Sequence, residues 1–210
     1  MRFIVPLLLA SLLSCHSDDA GSKNLNEPAE EEIATINKEW LHFRSSVDSM
    51  MPMLAKQAQQ MNMNTQWALL ANLGTHSGLP RMVLINLQTK TIVDSGCVAH
   101  GYGSESFSER AAFSNKPSSY CSSTGRYKVG KKYRGNFGWS YKLHGLDKSN
   151  SNAYDRFIVL HSYECVPETP TYPEYICNSQ GCPMLSNAFL TRLSKKIDDA
   201  DKSLLLWIIR

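Results

Sequence analysis

The sequence predicts a mainly β domain with one helix ahead of its strands and a second helix near the end. Three observations carry this. From Thr65 onward, short apolar and β-branched runs alternate with clusters of Gly, Ser and Asn, the pattern of strands and turns. Ahead of them, Ile33, Ile36, Trp40, Phe43, Val47, Met50 and Leu54 recur at steps of three and four, one face of an amphipathic helix. Near the end, Ser186 stands where a cap belongs before Leu190, Leu193 and Ile197, again at helical spacing. The 210 residues suffice for one domain with appendages. Hydrophobic residues at 42% and charged residues at 20% exclude a disordered chain. A formal charge of +3 gives no footprint for a nucleic-acid partner.

In chain order, residues 28–62 form the helical segment. Pro28 opens it and Glu30, Glu31 and Glu32 fill the first turn, where acids oppose the helix dipole. Its apolar stripe is expected to pack on the same domain, and Pro52 to kink or end it. Residues 57–64 are amide- and Met-rich and suggest no role. The domain proper, 65–210, starts with a strand at Gln66–Leu73. Arg81–Leu87 and Thr91–Ala99 follow as a hairpin about Gln88-Thr89-Lys90. Shorter strands are expected at Gly125–Val129 and Ser140–Leu146. Arg156–His161 reads as a buried strand, and Leu204–Ile209 closes the chain.

The first residues read as an export signal. Arg2 is followed by an apolar run, Phe3–Leu13, that is too short to span a bilayer, which takes about 20 residues. It ends in Leu12-Leu13-Ser14-Cys15, which resembles the lipobox of bacterial lipoproteins. Residues 1–14 are then signal peptide, Cys15 the lipidated residue, and 15–27 a polar tether. The expected location is the cell envelope, on the periplasmic face if the envelope has two membranes. An ordinary cleaved signal with an incidental cysteine is the plainer alternative.

Export into an oxidising compartment makes the cysteines informative. There are six: Cys15, Cys97, Cys121, Cys165, Cys177 and Cys182. With Cys15 lipidated, five remain, so internal pairing leaves one thiol over. Cys182 is the one set in a chemically suggestive turn, Asn178-Ser179-Gln180-Gly181-Cys182-Pro183. Gly181 allows a strained turn or a close backbone approach, and amides about Gly181 and Cys182 can converge as an oxyanion site. The other four pair most simply as Cys165–Cys177 and Cys97–Cys121, although four cysteines allow three connectivities.

A thiol near its free pKa needs a base. His161 ends an apolar strand and so emerges at a sheet edge, 20 residues before Cys182. Cysteine after histidine is the reverse of the papain order. Ser179 and Arg156 are candidates for substrate contact, although Arg156 reads first as a surface residue. The same residues support a rival: His161-x3-Cys165 and Cys177-x4-Cys182 fit a closed zinc site. That reading gives a non-enzymatic, zinc- or disulfide-stapled envelope binding lipoprotein. Oxidation of the cysteines weighs against the metal, and no metal or cofactor is expected.

The stretch from about Met82 to the C-terminus resembles the L,D-transpeptidase catalytic domain in its divergent branch. The resemblance rests on 83–90 (Val-Leu-Ile-Asn-Leu-Gln-Thr-Lys), Val98-Ala99-His100-Gly101, 122–127 (Ser-Ser-Thr-Gly-Arg-Tyr), 141–146 (Tyr-Lys-Leu-His-Gly-Leu), 156–161 (Arg-Phe-Ile-Val-Leu-His) and Ser179-Gln180-Gly181-Cys182-Pro183, in that order. It implies a sandwich-like fold of the YkuD type, with His161 as catalytic histidine and Cys182 as nucleophile. It departs from the better-known branch in having Gln180 where a histidine is usual and Pro183-Met184 where a hydrophobic residue and arginine are usual. The resemblance further implies peptidoglycan stem peptides as partner and acyl transfer through a thioester. The acceptor is then an amine, giving transpeptidation, or water, giving an L,D-carboxypeptidase.

Overall fold

The computed structural model describes residues 30–103 and 108–210, with side chains from residue 33 onward. The expected signal peptide, Cys15 and tether lie outside the described residues. Helix α1 spans Glu30–Gln60 and is followed by β1 (Trp67–Asn72), β2 (Met82–Asn86), β3 (Thr91–Gly96) and β4 (Val98–Ala99). A long hairpin, β5 (Gly125–Gly135) and β6 (Gly138–Gly145), precedes β7 (Val159–Ser162) and β8 (Met184–Leu185). Helix α2 (Asn187–Asp198) and β9 (Leu205–Ile209) complete the chain. The fold is mainly β, with the two helices where the sequence puts them. Ser186 caps α2 by accepting the Phe189 amide on Oγ at 3.1 Å.

The nine strands hydrogen-bond in the order β3-β2-β1-β9-β5-β6-β7-β8-β4. β1/β9 and β7/β8 are parallel pairs and the others antiparallel. The first and last strands of this order, β3 and β4, are separated in sequence by Cys97 alone. The sheet must therefore curl back on itself. Its inner face does so around one core, in which Met82 and Leu84 of β2 share a cluster with Val98 of β4, Tyr127, Leu143, Leu160 and Leu206. Phe189, Leu190 and Leu193 of α2 belong to the same cluster.

Alternation is what gives β1, β2 and β9 their second packed face. Ala68, Leu70, Val83, Ile85 and Leu205 point outward onto α1, meeting Phe43, Val47, Met51, Leu54 and Ala58. The helix thus packs on its own sheet. It also runs through Pro52 to Gln60 rather than stopping there. Pro52 and the Asp48 residue it fails to bond both lie on the exposed side. Leu54 and Ala58 hold the turns that follow to the sheet. The amide-rich end has a role after all. Gln57 Oε1 accepts from Arg126, and Asn64 Oδ1 accepts the amides of Gln66 (3.0 Å) and Trp67 (2.6 Å) to launch β1.

Three stretches differ from expectation. Thr91–Ala99 is not one strand: β3 ends at Gly96, and Val98–Ala99 leaves the hairpin to pair with β8. β5 runs on to Gly135 rather than ending at Val129, because residues 130–135 have no buried apolar face to show, while β6 is shifted by only one or two residues at each end. β7 begins at Val159 rather than Arg156. Phe157 has φ +57°, which breaks the extended run, and a turn bonds Ile158 N to Ala153 O at 2.9 Å. A disulfide joins Cys165 to Cys177. The expected Cys97–Cys121 bond is not formed: both are buried free thiols. Cys97 sits between β3 and β4 in a small cluster with Ala99, Val166, Ile176 and Met184. Cys121 lies in the separate loop that faces Gly103 and Gly101.

Candidate active site

His161 and Met184 are in-register partners of the parallel pair β7/β8. Cys182, two residues before Met184, therefore comes level with Val159. Ile158 and Leu160 face the core, so Val159 and His161 face the opposite side. There Cys182, His161 and Met184 line one cavity of about 680 Å³. The parallel pairing explains why residues 20 positions apart share a site.

The His161 imidazole is buried, which pushes its pKa below the ordinary histidine value. Its Nδ1 lies 3.1 Å from Ser162 O, and a carbonyl can only accept, so the proton sits on Nδ1. In the neutral ring Nε2 is then the bare, basic nitrogen. Phe137, in the β5–β6 turn, stacks on this ring with centroids 4.5 Å apart, and Tyr163 meets Phe137 edge-on at 5.9 Å. The hairpin tip thereby covers the histidine.

Cys182 is partly exposed. Its Sγ accepts the Val159 amide at 3.4 Å and faces Phe157 O at 3.7 Å as donor. Burial raises the thiol pKa, opposed by the Val159 N–H and the charge of Arg156. The resting group is a protonated thiol turned toward a carbonyl. Activation requires its S–H to leave Phe157 O for a base on the cavity side.

The turn ahead of Cys182 is closed by its own side chains. Ser179 Oγ donates to Cys182 O at 2.6 Å and accepts the Gly181 amide at 3.0 Å. Ser122 Oγ donates to Gly181 O (3.1 Å) and accepts Gly101 N (3.0 Å). Gly181 has φ +115°, and a Cβ there would stand 2.8 Å from Cys121 O. Gly101 is equally constrained, since its Cβ would meet Tyr120 O at 2.1 Å and Gly181 Cα at 2.7 Å.

These contacts bear on three expectations, and both Ser179 and Arg156 line the cavity. The Gly181 N–H is spent on Ser179, so it is not free to face an oxyanion; among the described residues no acceptor meets the Cys182 N–H. Ser179 is the clasp of the turn. Arg156 is half-buried rather than on the surface, and its guanidinium is engaged by Ser114 O (3.0 Å), Cys121 O (2.6 Å), Ser123 Oγ (3.1 Å) and Ser119 Oγ (3.4 Å). It pins the 114–123 loop against the turn carrying Cys182 and supplies positive charge near the thiol. The zinc reading loses two of its four ligands, Cys165 and Cys177, to the disulfide. Among the described residues no group of three or more His, Cys, Asp or Glu side chains is placed to hold a metal.

Sequence reasoning missed the aromatic lining. Tyr102 and Tyr120, stacked at 4.9 Å, form one wall of the cavity, and Phe137, Phe157 and Tyr163 another part. Phe137 had a signal, an aromatic residue inside the turn Gly135-Asn136-Phe137-Gly138. Phe157, 76% exposed at the start of an apolar run, had none.

The curled sheet thus sets a histidine of one strand and a thiol on the neighbouring turn along one cavity. A family model described as the L,D-transpeptidase catalytic domain matches residues 40–207, and the chain belongs to that family. A search of curated protein sequences returned no match. Among solved structures, the chain resembles an L,D-transpeptidase from Xylanimonas cellulosilytica at 13% identity and TM-score 0.40, covering 68% of this chain and 59% of that one. The helical cell shape determining protein Pgp2 from Campylobacter jejuni matches at 11% identity and TM-score 0.44, covering 75% and 54%. An L,D-transpeptidase from Mycobacterium smegmatis matches at 10% and 0.42, covering 69% and 59%. The chain spans less than two thirds of the length of each. No described helix is long and apolar enough to cross a membrane.

Proposed function

We propose that this protein is a peptidoglycan-modifying cysteine acyltransferase, a murein L,D-transpeptidase with Cys182 as nucleophile and His161 as general base. The observation that carries this is the sharing of one cavity by a thiol and a histidine whose hydrogen bond to Ser162 O leaves Nε2 basic. In the reaction, Sγ turns from Phe157 O and gives its proton to His161 Nε2. It then attacks the carbonyl carbon of the third stem residue. The tetrahedral oxyanion is met by the Cys182 N–H; one such donor is typically worth about 3 kcal/mol. Collapse breaks the peptide bond, and His161 returns the proton to the departing amine of the terminal D-amino acid. The resulting thioester is resolved by an amine of a second stem, giving a cross-link, or by water, giving carboxypeptidase activity. Arg156 stabilises the thiolate at a distance, and the Cys165–Cys177 bridge ties the loop beside the cavity.

The protein acts in this reading as an exported lipoprotein, held at the membrane by diacylglycerol on Cys15. The enzyme reading is tested by intact-protein mass during incubation with tetrapeptide muropeptides. A transient adduct of the acyl-tripeptide mass on the wild type, absent from Cys182→Ala, is expected. Turnover by Cys182→Ala would exclude the mechanism.

A further inference from the structure

Arg81 has no exposed surface and no carboxylate among its hydrogen-bond partners. Nε and Nη2 donate to Val98 O at 3.0 and 2.8 Å, and Nη1 donates to Leu73 O (3.2 Å) and Thr75 O (2.8 Å). Nη2 also lies 2.6 Å from Nδ1 of His100. Burial lowers the Arg81 pKa to about 9, so it remains a cation at neutral pH. A buried cation without a counter-ion is expensive, and an apolar side chain would fill the space at less cost. Its retention asks what the charge does.

The answer lies in the polarity of the contact with His100. A guanidinium has only donors, so His100 Nδ1 must be the bare acceptor nitrogen. His100 is itself fully buried beside this cation, and its pKa falls to about 3, so the ring is neutral. A neutral imidazole with a bare Nδ1 carries its proton on Nε2. Asn178 Nδ2 stands 3.3 Å from that nitrogen. Two donors cannot bond, and a half-turn of the amide exchanges its nitrogen and oxygen, so with the proton on Nε2 Asn178 turns its Oδ1 to His100. Asn178 heads the turn that carries Cys182. The His100 backbone grips the same turn: Ser179 N donates to His100 O at 2.8 Å, and Tyr102 N donates to Ser179 O at 2.9 Å.

We infer that Arg81 and His100 are positioning residues for the nucleophile: Arg81 fixes His100 as the Nε2–H tautomer, and His100 uses that proton to hold Asn178 and so aim the turn bearing Cys182. This rests on Cys182 being the reactive thiol. It gives a task to a buried cation and a second histidine that the acyl-transfer steps leave unused. Misplacement of a reacting group by about 1 Å is enough to cost roughly 10²-fold in rate.

The test combines a spectroscopic readout with two variants of the full chain. Nitrogen-15 NMR of histidine-labelled protein, with His100 assigned by His100→Asn, is expected to show a protonated Nε2 and a bare Nδ1. The opposite tautomer overturns the inference. Asn178→Ala is expected to slow iodoacetamide alkylation of Cys182 and to lower kcat on stem peptides by about 10-fold or more with KM little changed. Asn178→Asp, which offers only acceptor oxygens, is expected to restore most of that loss. Asp no better than Ala, or Ala within twofold of the wild type, overturns it. Should the wild type fail to process stem peptides, the proposed function falls, while the tautomer and the alkylation rates still decide this inference.

Discussion

Replacing Gly181 by alanine perturbs stability and reactivity through the same atoms. The residue has φ +115°, a region that L side chains rarely adopt, and forcing one there costs about 1–3 kcal/mol. Space makes matters worse. The new Cβ would lie 2.8 Å from Cys121 O, 3.0 Å from Ile158 Cδ1 and 3.3 Å from Arg156 Nη2. The nearest of these is a backbone oxygen, itself held by Arg156 at 2.6 Å, so it cannot swing aside as a side-chain tip would. The upper part of the range, about 2–3 kcal/mol, is therefore expected. For a chain of this size that lowers Tm by about 4–12 °C. Gly138→Ala separates strain from collision: φ there is +79° but nothing lies within 4 Å of the added atom. It should cost about 1 kcal/mol, or roughly 2–4 °C. The assays are thermal unfolding of both variants and the rate of Cys182 alkylation in Gly181→Ala, expected to fall roughly 10²-fold as the thiol is displaced. A Gly181→Ala protein melting within 1 °C of the wild type and alkylating at its rate would refute the account of the turn.

Acid sensitivity should follow the buried histidines. His100 is held neutral to about pH 3 when folded but takes up a proton below its ordinary 6.5 when unfolded. Its contribution is thus complete above pH 6.5 and is lost as pH falls from there toward 3, at up to about 1.4 kcal/mol per pH unit. Urea titrations between pH 7 and 4.5 should show this slope, shared with His76 and His161, and His100→Asn should remove about one proton's worth of it. Replacing both Cys165 and Cys177 by alanine should remove about 2–3 kcal/mol, read as a Tm lower by roughly 4–12 °C; an unchanged Tm would show the bridge to be idle. Fatty-acid labelling in a bacterial host should mark the wild type and not Cys15→Ser, and an unlabelled wild type would remove the anchor while leaving the enzyme reading intact.

What could be read from the sequence was what periodicity writes. β1, β2 and β9 are buried on both faces and show as continuous apolar runs, and α2 is buried on one face at helical spacing. That His161 and Cys182 would meet at one cavity was legible because each combines a reactive side chain with a local pattern, a strand end in one case and a Gly-Cys-Pro turn in the other. The distal half of β5 was not, because residues 130–135 present no buried apolar face. Pro52 does not end the helix, because a local rule about backbone bonding is outweighed by the packing of Leu54 and Ala58 on the sheet. The work of Arg156 and Arg81 is invisible in sequence for another reason. Both are anchored by main-chain carbonyls of distant segments, and every residue type carries the same carbonyl. Pairing Cys97 with Cys121 by elimination failed because counting thiols says nothing of which loops meet.

The central claim, that Cys182 and His161 together transfer an acyl group from stem peptides, is tested most directly by mass spectrometry of purified tetrapeptide muropeptides after incubation with the protein. The account predicts loss of the terminal D-amino acid, with cross-linked or tripeptide products, by the wild type. It predicts no product from Cys182→Ala, and a rate lowered roughly 10²–10⁴-fold in a folded His161→Ala, the usual worth of a positioned general base. Products from Cys182→Ala, or a His161→Ala enzyme as fast as the wild type, would contradict it.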